Sequence, residues 1–297
     1  MNSGFIALVG MPNVGKSTLL NALAGTRMAG VSPRPQTTRK ALTAVVTCED
    51  GQAVFVDTPG HLKGNQPLAR SMRTALEKSV ERSDAVFLVL DPSQEKAGGG
   101  GSDAVLIEFL ERSRKPVLGV PNKMDLYPGE RGLEMIRTIQ ARLSWEILPV
   151  SAKKGLGVKI LMRSAIALLP PGPPLYPEGQ ISDMPERFFV EEAIREASLE
   201  VLRDEVPHAT GIQVEDFKER EEDGPLYIRA LLYVEKDSQK KIWIGQSGST
   251  IKKAGARARK RLEAFFGRKV YLELWVKVSK NWRQDTAWLS RLGFEKG

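Results

Sequence analysis

Residues 4–17 read GFIALVGMPNVGKS. Phe5 to Val9 is an apolar run of strand length, and the eight residues from Gly10 to Ser17 match G-x-x-x-x-G-K-S. A strand running into this loop and out into a helix is the context in which the pattern binds phosphate. Glycines let backbone amides turn inward around phosphate oxygens, and the following helix N-terminus adds a favourable dipole. Lys16 is expected to reach the β- and γ-phosphates, and Ser17 to ligate Mg²⁺. Asn13, Val14, Gly15 and Thr18 complete the expected nucleotide cradle.

Three further segments carry the reading outward. VDTPG, residues 56–60, ends a strand with an acid. Asp57 suits a water-mediated contact to Mg²⁺, and the Gly60 amide suits a γ-phosphate. NKMD, residues 122–125, follows another strand. The Asp125 carboxylate can accept from both N1–H and the exocyclic amine of guanine, which adenine lacks. A site that bonds a required group rejects analogues without it by up to ~10⁴–10⁵. Asn122 and Lys123 belong to the same box. SAK (Ser151, Ala152, Lys153) follows the last expected strand and can offer an amide to guanine O6. All four segments fall at strand C-terminal ends, where open α/β sheets bind ligands.

The strands implied are GFIALVG, a hairpin ALTAVVTCED-GQ-AVFVDT with its tight turn at Asp50–Gly51, then DAVFLVLD, KPVLGVPN and WEILPVSA. Helical stretches separate them, beginning with Lys16 to Ala24. This alternation predicts a mostly parallel sheet covered on both faces, antiparallel only at the hairpin. AGGGG, residues 97–101, reads as a surface loop.

LLPPGPPLYPEGQ, residues 168–180, holds five prolines and two glycines in thirteen positions. Proline forces extended backbone and removes donors, so the stretch marks a domain boundary. The expected division is 1–168, a linker 169–181, and 182–297. Beyond it, PERFFVEEAIREASLEVLRDE reads as an amphipathic helix, TGIQVEDFKER and LYIRALLYVEK as strands around the turn EEDGP, and RKVYLELWVKV as a last strand. Between the second and last of these strands stands KKIWIGQSGSTIKK, residues 240–253. Its GQSG lacks the G-K-S/T of a nucleotide cradle, and this half has no acidic strand end or guanine box. From Lys236 to Arg261 there are nine Lys or Arg and one acid, Asp237, an excess equal to the chain's whole net charge of +8. Such a field favours a polyanion.

These residues carry two resemblances. The first half is similar to the translation-factor-related GTPases and to a Ras-type G domain. That likeness implies a switch threonine completing the Mg²⁺ shell: Thr38 in PRPQTTRK, residues 33–40, with Thr37 as the other choice. It implies hydrolysis by water attack on a γ-phosphate held by Lys16, Mg²⁺ and amides. Asn13 resembles an asparagine that ligates K⁺ in related GTPases, and it also reads as a plain turn residue. His61 stands where a Ras-type protein carries its water-orienting glutamine. The second half resembles a KH domain of type II, whose G-x-x-G loop clamps about four single-stranded nucleotides. The implied RNA contacts are Lys241, Ile244, Gly245, Gln246, Ser247, Gly248, Ile251, Lys252 and Lys253.

A G domain joined through a proline-rich connector to a type II KH domain resembles the Era GTPases over nearly the whole chain. NVGKSTLLN, PQTTR, PPGPPLYP, ERF, QKKIWIGQSGSTIKK and VYLELWVKVSKNWR carry the likeness. It implies GTP/GDP and Mg²⁺ as ligands, the 3′ end of 16S ribosomal RNA and the 30S subunit as partners, and peripheral association with the membrane. One departure stands out: His61 follows DTPG directly and Leu62 comes next, whereas the family has an apolar residue and then histidine. The competing reading is an RNA-binding scaffold whose nucleotide turns over negligibly. A tRNA-modifying GTPase would need a C-terminal cysteine, and the one cysteine is Cys48.

Composition agrees with these classes. The 297 residues suit about two domains. One cysteine excludes an internal disulfide and fits a reducing compartment. No apolar run approaches the ~20 residues of a membrane helix, and no basic n-region precedes the first one. A cytoplasmic monomer with peripheral attachment to the inner membrane face is expected.

Overall fold

The computed structural model describes residues 1–26, 28, 42–58, 67–94, 103–203, 205–219 and 224–292. The chain divides into two compact units, with Met72–Asp183 in the first and the chain from Met184 onward in the second.

The first unit is built from β1 (Asn2–Val9), α1 (Lys16–Ala24), β2 (Leu42–Cys48), β3 (Gly51–Asp57), α2 (Pro67–Arg82), β4 (Ala85–Leu90), α3 (Ala104–Ser113), β5 (Val117–Pro121), α4 (Glu130–Arg142) and α5 (Val158–Leu168). Its sheet runs β2-β3-β1-β4-β5. β1 is parallel to both neighbours, β4 is parallel to β5, and only β2 runs antiparallel, against β3. Every residue of β4 is buried, as a strand covered on both faces requires. On one face Ala7, Val9, Val86 and Leu88 pack against Leu76 and Val80 of α2, Leu106 and Leu110 of α3, and Ile139 of α4. This is a mixed, mostly parallel α/β sheet whose C-terminal strand ends converge on the phosphate loop.

Two expectations are corrected. Cys48 pairs with Gly51, so the hairpin turns through Glu49 and Asp50 and not Asp50–Gly51. Gly51 serves a different purpose: a Cβ there would collide with the Asn2 carbonyl oxygen of β1. The segment WEILPVSA is not a regular strand. It follows β5 in parallel fashion, with the Gly119 amide donating to the Glu146 carbonyl and the Leu148 and Val150 amides donating to the carbonyls of Gly119 and Pro121. It registers only the single bridge Gly119–Ile147 beside β5. The next ladder bond would need an N–H on Pro121, and proline has none.

The proline-rich stretch lies along the first unit. Ser3 donates its amide to the Pro170 carbonyl and its hydroxyl to that of Pro173. The buried Gln52 Oε1 accepts from the amides of Leu175 and Tyr176, and its Nε2 donates to the Tyr176 carbonyl.

The second unit contains α6 (Glu186–Val201), β6 (Gly211–Glu219), β7 (Leu226–Val234), α7 (Asp237–Ile244), α8 (Ser249–Phe266), β8 (Val270–Val278) and α9 (Thr286–Arg291). β7 is central, antiparallel to β6 and parallel to β8. The first six elements follow the order helix–strand–strand–helix–helix–strand, an α+β KH domain of type II. Ile228, Ala230, Leu232 and Val276 face Val190, Ile194 and Ala197 of α6, Trp243 of α7, and Ala254, Ala258 and Leu262 of α8. Side chains two apart on a strand share a face, so the odd-numbered residues of β7 and β8 point away from these helices.

Candidate functional site

The phosphate loop is shaped by backbone that few residues tolerate. Asn13 has φ 65° and Gly15 has φ 99°. Asparagine is one of the few residues with a side chain that visits this region readily. A Cβ at Gly15 would collide with Asn122 Nδ2, and one at Gly10 with the Val89 carbonyl. The glycines therefore permit close approach as well as turning. Gly15 caps α1, which begins at Lys16 as the sequence suggested.

Lys16 is buried, and its Nζ donates to the carbonyls of Gly10 at 3.0 Å and Met11 at 3.1 Å. Burial pushes its pKa down to about 8, partly opposed by the Asp57 carboxylate. Ser17 Oγ donates to Asp57 Oδ2 at 2.6 Å. Hydroxyl and carboxylate oxygens so juxtaposed are the hard donors that Mg²⁺ takes, shared with phosphate and water, so these residues fit the ion. Thr58, which sequence reasoning passed over, is fully buried and donates its hydroxyl to the Leu8 carbonyl at 2.8 Å. That bond holds the end of β3 against β1. Thr38, Gly60 and His61 lie outside the described residues.

The guanine box grips the phosphate loop directly. Asn122 is buried, its Nδ2 donates to the Val14 carbonyl at 3.0 Å, and its Oδ1 accepts from the Ala152 amide at 3.0 Å. Lys123, with φ 62°, donates from Nζ to the Asn13 carbonyl at 2.6 Å and pairs with Asp91 Oδ2 at 2.7 Å. Asp125 Oδ1 accepts from the Ser151 hydroxyl at 2.6 Å. Lys153 is exposed beside them, and Thr18 is half-buried in the first turn of α1. The structure thus brings Asn13, Val14, Gly15, Lys16, Ser17 and Asp57 together, and Asn122, Lys123, Asp125, Ser151 and Ala152 together. Asp91 is missed as well as Thr58. Its signal was present, since it is an acid at the C-terminal end of β4, in line with the other segments.

The second loop has different chemistry. Gly245 (φ 69°), Ser247 (φ 50°) and Gly248 (φ 78°) all lie in the left-handed region. A Cβ on Gly245 would collide with Thr250, whereas one on Gly248 would meet only Lys252 Cε, at 3.7 Å. Gly245 is therefore demanded by packing, and Gly248 presents its bare backbone outward at the N-cap of α8. Lys241, Gln246, Ser247, Lys252 and Lys253 are exposed, and Ile244 is 37% exposed. Ile251 is half-buried and leans on the core. Farther along α8, Arg261 pairs with Glu196 and Glu200, and Arg257 with Glu200. Acids on α6 thus pair with two of the nine cations, while Lys241, Lys252 and Lys253 beside the loop pair with no acid among the described residues.

The description "50S ribosome-binding GTPase" matches residues 5–123, and "KH domain" matches residues 205–283. GTPase Era of Carboxydothermus hydrogenoformans is 41% identical over 293 residues, covering 98% of this chain and 97% of that protein. The chain belongs to the GTPase Era family. GTPase Era of Lactobacillus delbrueckii subsp. bulgaricus is 45% identical over 296 residues, covering 99% and 96%. Among solved structures, a Tyr-to-Ala variant of Aquifex aeolicus Era bound to GDP·AlF4⁻ is 35% identical, with a TM-score of 0.93 and coverage of 99% of this chain and 100% of that one. Era in complex with MgGDPNP and nucleotides 1506–1542 of 16S ribosomal RNA is 35% identical, with a TM-score of 0.92 and 99% of each chain covered. The two units are accordingly the P-loop G domain and the KH domain of an Era-family protein.

Proposed function

We propose that the chain hydrolyses GTP and binds the 3′ end of small-subunit ribosomal RNA, acting in biogenesis of the 30S subunit. The observation that carries this is the joint presence of the interlocked phosphate loop and guanine box and of an outward-facing G-x-x-G loop at the head of a basic helix. Likeness to the Era complex with MgGDPNP and 16S ribosomal RNA supports it. Residues 1–168 form the GTP-binding domain, 169–181 the linker and 182–297 the RNA-binding domain.

Asp125 orients guanine through N1–H and the exocyclic amine. Lys16 places positive charge on the β- and γ-phosphates, and the loop amides hold their oxygens. Ser17, Asp57 through water, and Thr38 hold Mg²⁺, which neutralises phosphate charge when bound. Asn13 is the residue for a K⁺ ion. His61 positions water; unchanged single-turnover hydrolysis in His61→Ala would remove that role. Gly245 to Gly248 admit the RNA backbone, Lys241, Lys252 and Lys253 meet phosphates, and Ile244 and Ile251 face bases.

We place the protein in the cytoplasm as a monomer, with peripheral attachment to the inner membrane face. Among the described residues no helix is long and apolar enough to cross a membrane. Multiple-turnover GTP hydrolysis with and without an RNA carrying the 16S 3′ end tests the central reading. Turnover that RNA changes supports it. Negligible turnover in both conditions, with RNA still bound, overturns it in favour of a scaffold.

A further inference from the structure

The outer face of β8 carries a row the RNA reading above does not use. Residues 269, 271, 273, 275 and 277 are Lys, Tyr, Glu, Trp and Lys. Within β8, side chains two apart share a face, and Leu272, Leu274, Val276 and Val278 point to the helices instead. Tyr271 is 58% exposed and Trp275 is 54% exposed. Both flanking lysines are exposed as well. At the other end of this face, Trp288 of α9 packs on the Tyr233 ring with centroids 4.7 Å apart. There the aromatic is covered; on β8 it is not.

The exposed rings are held in place. Tyr271 stacks on Tyr227 at 5.8 Å, with ring planes 14° apart. Trp275 donates its indole N–H to Glu273 Oε1 at 2.9 Å. Glu273 Oε2 accepts from the Tyr227 hydroxyl at 2.6 Å and from Arg229 Nε at 3.2 Å. Arg229 is shared with Asp216 at 3.3 Å and Glu215 at 3.8 Å, and Asp216 also pairs with Lys218 at 2.8 Å, so the acids around the row sit in a network of ion pairs while Lys269 and Lys277 flank it. Rigid aromatics between cations fit single-stranded nucleic acid, whose bases stack while phosphates meet the charge. Along a strand the rings stand ~13 Å apart, a step of about two extended nucleotides.

We propose that the outer face of β8 is a second single-strand RNA platform, on which Tyr271 and Trp275 stack bases and Lys269 and Lys277 meet the flanking phosphates. The proposal rests on the RNA-binding reading and extends it to the opposite side of the strand. β8 is an edge strand, and its inner side touches α8, where a Cβ on Gly255 would lie 3.5 Å from Leu274. A chain held at residues 245–248 therefore reaches the platform by crossing one strand edge.

The test uses the full-length protein and two uridine oligomers, one of about four nucleotides to fill the G-x-x-G loop and one several times longer. Tyr271→Ala/Trp275→Ala is expected to weaken the longer oligomer at least about fivefold and to leave the shorter one unchanged. Trp275→Phe, which keeps a ring and guards against misfolding, should retain wild-type affinity for both. Lys269→Ala/Lys277→Ala should lower the salt slope of the longer oligomer by about 1–2. Unchanged affinity for the longer oligomer in the double-alanine variant overturns the platform, as does an equal loss for both lengths. A concentration-dependent dimer abolished by that variant, with RNA affinity intact, would assign the face to a second copy and also overturn it. If the unaltered protein binds an RNA carrying the 16S 3′ end but neither oligomer, the platform is overturned; if it binds none of the three, the RNA-binding reading has failed and the platform falls with it.

Discussion

Asn122 Nδ2 donates to the Val14 carbonyl at 3.0 Å, joining the guanine box to the phosphate loop across 108 residues of sequence. The same side chain accepts from the Ala152 amide. Asn122→Ala would leave two buried backbone groups without this partner, each at a cost of about 1–3 kcal/mol. We expect nucleotide affinity to fall at least tenfold and the melting temperature to drop. Equilibrium binding of a fluorescent GDP analogue together with a thermal melt checks both, and an unchanged affinity would contradict the joining role.

Asp125 is aimed by the Ser151 hydroxyl, which donates to Oδ1. Asp125→Asn replaces an acceptor with a donor where guanine presents its amine. The protein should then prefer xanthine to guanine nucleotides, erasing a discrimination of order 10⁴. Competition between GTP and XTP measures this directly, and a retained preference for GTP would refute the assignment.

Lys16 has a pKa lowered from its ordinary 10.5 to about 8 by burial. A lowered pKa means the folded, nucleotide-free protein holds that proton less tightly than the unfolded chain. The charged lysine costs stability at every pH below about 8, and that cost fades as pH rises from about 8 towards 10.5. Phosphates favour the ammonium form, so nucleotide binding near pH ~9 should take up protons. Calorimetric enthalpies in two buffers of different ionisation heat should differ there and agree near pH ~7. Identical enthalpies at the higher pH would show that phosphate does not reprotonate Lys16.

The two glycines of the second loop should respond differently. Gly248→Asp places its side chain in open space near Lys252, so the fold persists with about 1 kcal/mol of left-handed strain. RNA affinity should fall severalfold at fixed salt, since a carboxylate opposes phosphate, while GTP affinity holds. Gly245→Ala drives a methyl into Thr250 and should lower the melting temperature as well. Filter binding and calorimetry separate the two, and equal behaviour would mean Gly248 has no special exposure to RNA.

Much of this was legible in the chain itself. The start of α1 at Lys16 and the mostly parallel sheet follow from motif context and hydrophobic periodicity, which are local properties, whereas the type II order of the KH half is what the resemblance to that domain implies. The misreadings arose where a distant backbone decides. Asp50–Gly51 looks like a turn, but the hairpin turns one residue earlier, and Gly51 is small because Asn2 passes against it. WEILPVSA has strand composition, but Pro121 on its neighbour cannot donate the bond that would continue the ladder.

Residue types and spacing alone determined which chemistries this protein carries: a G-x-x-x-x-G-K-S loop, an acid at a strand end, a guanine box and a basic G-x-x-G segment. Tertiary structure alone decided which groups enforce one another. Only folding brings Asp91 to Lys123, Lys123 to Asn13, and Glu196 and Glu200 to the arginines of α8. The reason is physical: a motif is written over a few adjacent residues, whereas a hydrogen bond or ion pair forms wherever the sheet and helices set two groups within about 3 Å.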